Sequence, residues 1–135
     1  MTFWKDSLLI GVSHIDGQHR KLIAAIDELM EACNKGQGRT TIGKTLDFVV
    51  SYTKEHFADE EKIQAQYGYP SMASHKLLHS RFIADISALQ KDFEQNGPSV
   101  ALTGKLNSAL VGWLINHISV EDKKLGAFIQ SKQEL

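Results

Sequence analysis

Apolar residues recur at alternating steps of three and four along most of this 135-residue chain, and that spacing leaves little freedom of fold. Between residues 72 and 93 the series is Met72, His75, His79, Phe82, Ile86, Leu89 and Phe93. Ile42, Leu46, Val49, Thr53, His56, Glu60, Ile63 and Tyr67 form a second seam. His19, Leu22, Ile23, Ile26, Met30 and Cys33 form a third, and Leu106, Leu110, Trp113 and His117 a fourth. A stripe of this period stays on one side of an α-helix and meets its neighbour lengthwise. Breaker clusters separate the four segments: Gly36-Gln37-Gly38, Gly68-Tyr69-Pro70 and Asn96-Gly97-Pro98. Ser13 or Asp16 is expected to cap the first helix, which runs to about Lys35. Thr40 or Thr41 is expected to cap the second, to about Tyr67, and Ser71 the third, to about Gln95; the fourth starts near Ser99. The predicted class is all-α: an antiparallel up-down four-helix bundle in one domain over residues 1–135, with an N-terminal arm and a short C-terminal helical segment.

The composition narrows the function. Hydrophobic residues make up 42% and charged residues 23%, the balance of an ordinary globular chain. Fifteen basic against sixteen acidic residues, with no basic stripe, give no electrostatic support for a nucleic-acid partner. The single cysteine, Cys33, rules out an internal disulfide or a cysteine-based zinc finger and reads as a small core residue. The longest uncharged run, residues 106–120, is too short and too polar for a membrane span. A cytoplasmic protein with no membrane partner is expected.

Each seam carries histidine where the period assigns an interior position, and one also carries Glu60. A buried carboxylate without a partner costs several kcal/mol or changes its protonation, so something inside must compensate. A metal ion does so, because it binds neutral imidazole and ionised carboxylate together. His56 and Glu60 are four residues apart, as are His75 and His79, so each pair shares a helix face one turn apart. His117 and Asp122 are five apart, which on a regular helix leaves them about 140° out of line. If both reach one site, the backbone must unwind or bulge between Ile118 and Glu121.

With His19 in Ile15-Asp16-Gly17-Gln18-His19, then His56-Phe57-Ala58-Asp59-Glu60, then His75 and His79, then His117 and Asp122, the chain resembles the hemerythrin family, whose pattern is His…HxxxE…HxxxH…HxxxxD. It is most similar to the bacterial single-domain members. Gly17 is a mild departure, standing where the family often has an acidic residue. The resemblance implies two non-haem iron ions. His75, His79 and His117 would hold one, and His19 and His56 the other. Glu60, Asp122 and an oxo or hydroxo group would bridge them. The second iron then keeps an open position, where dioxygen would bind as ligand. Matching positions imply an apolar pocket of Leu22, Phe57, Trp113, Leu114 and Ile118 that excludes water.

The function so implied is reversible dioxygen binding, as carrier, buffer or sensor input, and not an enzyme. The alternatives are a di-iron enzyme handling peroxide or nitric oxide, and iron storage or sensing. Outside the set, His14 is expected at the surface or against the arm. Asp59, Glu61 and Lys62 are expected on a solvated face, and Tyr52 and Tyr69 in structural roles.

Overall fold

Glycine and proline decide where the helices stop. In the computed structural model, which describes residues 3–133, three long helices follow the arm: α1 (Ser13–Asn34), α2 (Arg39–Tyr67) and α3 (Met72–Asn96). A fourth rod is continuous but mixed. It runs through α4 (Val100–Leu106), a π-helical stretch (Asn107–Leu114), α5 (Ile115–His117), a second π-helical stretch (Ile118–Asp122) and α6 (Lys123–Gln133). The C-terminal segment is thus an extension of the fourth rod. α1 packs on α2 and α2 on α3, and the fourth rod closes against α3 and α1, giving the antiparallel bundle. Gly68 ends α2 in the left-handed region (φ 66°). The amides of Gly68 and Tyr69 turn back to the carbonyls of Ala65 and Gln64 at 3.3 and 2.9 Å, which reverses the chain within a few residues.

Helix starts depart from expectation. Val12 and Gly38 occupy the N-cap positions of α1 and α2, and no side chain caps either. Thr40 and Thr41 lie inside the first turn of α2. Ser71 stands at the N-cap of α3 without a side-chain bond, whereas Ser99 does cap α4, its Oγ accepting from the Leu102 amide at 3.0 Å. At α1 the reason is a competing task. The Asp16 carboxylate accepts from the amides of Ile10 and Gly11 at 2.8 and 3.1 Å, and so ties the arm to the bundle.

The core falls into two apolar clusters. The larger includes Leu22, Leu29, Ile42, Leu46, Phe82, Ile86, Leu106, Leu110 and Leu114; the smaller is Ile10, Ile15, Tyr69, Leu125 and Ile129. Most seam residues are buried, but Ile63, Tyr67, Met72, Leu89 and Cys33 are half-buried. On the fourth rod Leu114 takes the buried place that the sequence assigns to Trp113, which is half-buried. Leu102, Leu106, Leu110 and Leu114 are spaced by four. In an α-helix each such step overshoots the face by about 40°. The wider π turn from Asn107 to Leu114 absorbs that drift. No helix among the described residues is long and apolar enough to cross a membrane.

Candidate metal centre

The five histidines and two carboxylates that the sequence singles out meet between the two apolar clusters. His19 comes from α1, His56 and Glu60 from α2, His75 and His79 from α3, and His117 and Asp122 from the fourth rod. None is more than 3% exposed. The π-helical stretch Ile118–Asp122 supplies the irregularity that the five-residue spacing demands. An i→i+5 turn brings Asp122 under His117, and their Oδ1 and Nε2 lie 3.3 Å apart.

The two carboxylates divide their oxygens between two sets of histidines. Glu60 presents Oε1 to His75 at 2.8 Å and His79 at 3.3 Å, and Oε2 to His56 at 3.3 Å and His19 at 3.8 Å. Asp122 presents Oδ1 to His75 at 3.0 Å and His117 at 3.3 Å, and Oδ2 to His19 at 3.1 Å. Two clusters of ligand atoms result: His75, His79 and His117 with both carboxylates, and His19 and His56 with the same two carboxylates. Within each cluster the ligand atoms all lie within 4.8 Å of one another.

The protein alone does not satisfy these atoms. Both oxygens of Glu60 and of Asp122 are buried without a well-directed hydrogen bond, as are the inner nitrogens of His19, His56 and His79. The Nε2 atoms of His75 and His117 face each other at 3.1 Å, an arrangement that needs a proton or a cation between them. Burial pushes Glu60 toward its neutral form, but the close imidazoles of His19, His56, His75 and His79 reverse this and hold it well below the usual carboxylate range. Burial and the Glu60 charge likewise push Asp122 up, and hydrogen bonds from His117, His19 and His75 bring it below the usual range. Burial opposes charge on His19 and His75 as well, yet bonds to Asp122 and Glu60 push both up to about 9. Converging imidazoles, ionised carboxylates and orphaned buried atoms fit a pair of transition-metal ions.

Aromatic side chains pack on the cluster. The Phe57 ring lies flat on His79, with centroids 3.7 Å apart. Trp113 stacks on His117 at 4.9 Å and on Phe82 at 4.7 Å. Leu22, Leu114 and Ile118 are buried in the larger apolar cluster. Tyr69, from the smaller cluster, stands edge-on to His75 at 6.3 Å.

Four further residues touch or extend the site beyond what the spacing singled out. Gln18 Oε1 meets His56 Nδ1 at 2.7 Å, and Gln18 Nε2 donates to Asp59 at 2.7 Å. Glu61 departs from the solvated face expected of it, its Oε2 lying 3.1 Å from His79 Nδ1. Gln64 is fully buried with both amide atoms unpartnered. It sits one turn beyond Glu60, so continuing the His56–Glu60 step of four would have found it. Nothing periodic marks Gln18, Asp59 or Glu61. His14 is exposed, 3.6 Å from Asp59.

The Hemerythrin HHE cation binding domain family matches residues 10–129. The bacteriohemerythrin of Stenotrophomonas maltophilia is 38% identical over 120 residues, covering 89% of this chain and 76% of that protein. The myohemerythrin of Riftia pachyptila is 29% identical over 121 residues, covering 90% and 88%. A crystal structure of a hemerythrin mutant aligns with a TM-score of 0.82 at 28% identity, over 95% of this chain and 98% of that one. With the family match running from the arm to α6 across all five site histidines, Glu60 and Asp122, the chain belongs to the hemerythrin family.

Proposed function

We propose that this protein binds dioxygen reversibly at a non-haem di-iron centre, as a carrier, buffer or sensor input and not as a turnover enzyme. His75, His79 and His117 would hold one iron and His19 and His56 the other, with Glu60 and Asp122 shared between the two groups. The observation that carries this reading is the division of each carboxylate's oxygens between the two histidine sets. Bound there, the iron pair would supply the two electrons that reversible dioxygen binding takes.

The chain's own residues do the rest. Five neutral imidazoles and two carboxylates would offset half of the charge of two divalent ions in a site closed to solvent. Phe57 and Trp113 fix the planes of His79 and His117 by stacking. Leu22, Leu114 and Ile118, with Phe57 and Trp113, wall the dioxygen pocket and keep water and acid from it. Anaerobic iron loading followed by metal analysis is expected to give two irons per chain. Exposure to dioxygen is expected to produce a charge-transfer spectrum that disappears on deoxygenation. One iron or none, or a spectrum that does not reverse, would overturn the reading.

A further inference from the structure

Each site histidine turns one ring nitrogen inward, and the outer nitrogens differ in what they meet. Those of His19 and His75 meet no partner. That of His56 meets the neutral amide of Gln18. That of His79 meets a carboxylate, Glu61, at 3.1 Å. The Glu61 side chain is 22% exposed and lines an open groove of about 330 Å³ with Lys54, Ser80 and Ile83. No other ion pair to Glu61 exists among the described residues, although Lys54 lines the same groove. The carboxylate is directed at the ring.

We infer that Glu61 is the positioning residue for His79, and that it makes the three-histidine metal position the tighter and more electron-rich of the two. The inference rests on the di-iron reading above. A carboxylate accepting from Nδ1–H fixes the tautomer in which Nε2 carries its lone pair inward, and it raises the basicity of that nitrogen. Nε2 already points at the bridge, 3.3 Å from Glu60 Oε1. Phe57, stacked on the same ring at an interplanar angle of 3°, holds its plane while Glu61 holds its rotation. On the two-histidine side the corresponding support is the uncharged Gln18, with the Asp59 charge one bond further out. The two positions therefore receive unequal electron donation from groups that do not themselves ligate.

The test uses the full chain with Glu61→Gln, which keeps an acceptor but removes the charge, Glu61→Ala, which removes both, and the exposed control Glu28→Gln. Iron content, the rate of iron loss to a chelator and the reduction potential are measured, with the melting temperature of the metal-free protein alongside. Wild type and Glu28→Gln are expected to hold two irons. In Glu61→Ala one of the two is expected to be bound roughly 10–100-fold more weakly, and Glu61→Gln to fall between. Both Glu61 variants should shift the potential positive with metal-free melting unchanged. Two irons held with unaltered chelator kinetics and potential would overturn the role of Glu61 and leave the di-iron reading standing. Weakened binding matched by an equal loss of metal-free stability would make Glu61 a packing residue and overturn the inference. A wild-type protein that holds fewer than two irons overturns the reading beneath it.

Discussion

Glu60 and Glu61 are neighbours with different fates, and the difference lies in Cβ direction and side-chain reach. Glu60 was legible in the sequence because it falls one turn from His56 on the buried seam. Glu61 was not, because periodicity reports where Cβ points and not where a three-torsion side chain ends. The expected consequence is graded. Glu60→Ala would take a carboxylate from both proposed metal positions and leave buried histidines unpaired, so iron per chain should fall toward zero. Glu61→Ala should keep at least one iron per chain, and equal retention in the two variants would contradict the assignment. Leu114 gives a second residue-level expectation. It is fully buried in the larger apolar cluster, one turn before Ile118. Leu114→Ala should cost about 2–5 kcal/mol in a urea titration and leave space for water. Autoxidation should be faster than in wild type at the same pH and temperature, with iron content intact. An unchanged rate would remove Leu114 from the pocket wall.

At the scale of elements, the helices were legible and their ends were not. Seams and glycine–proline turns located four helices because burial and chain reversal leave strong marks in sequence. Caps leave weak ones: Val12 and Gly38 begin helices with no side-chain bond, while Asp16 serves the arm instead. The π turn at Ile118–Asp122 was legible because bringing His117 and Asp122, five apart, to one site requires it. The one at Asn107–Leu114 was not, since only a drift in leucine spacing announces it. Two glycines of the fourth rod separate helix propensity from packing. A Cβ on Gly104 meets nothing within 4 Å, so Gly104→Ala should raise stability by about 1 kcal/mol. A Cβ on Gly126 would stand 2.2 Å from the Ile10 carbonyl oxygen, so the arm must shift. Gly126→Ala should therefore lower stability by about 1–3 kcal/mol despite the same gain in propensity. Urea midpoints that move in the same direction for both would show that the arm does not press on α6.

Across the whole molecule, the apolar core is interrupted by its most polar layer. Leu29, Ile42, Leu46, Ile86, Phe93 and Leu106 fill one end of the bundle with hydrocarbon. Beyond the five buried histidines, Glu60 and Asp122, the smaller cluster and the arm held by Asp16 close the other end. Buried polar atoms without partners cost free energy wherever they occur, and here they are concentrated between the two clusters. Metal bound to the folded chain adds stability by mass action, and that stability is added where the orphaned atoms are. Removing iron should therefore lower the melting temperature and loosen the molecule unevenly. Amide exchange should accelerate most along residues 53–64, 75–82 and 114–125, which carry or flank the ligands. Residues 26–32, 42–50 and 102–106, packed in the hydrocarbon end, should keep their protection, because local opening follows local contact. Hydrogen exchange followed on the iron-loaded and chelated protein under one set of conditions makes the comparison. Protection lost uniformly along the chain would mean that the bundle opens as one unit and that the metal layer and the hydrocarbon end are not separable.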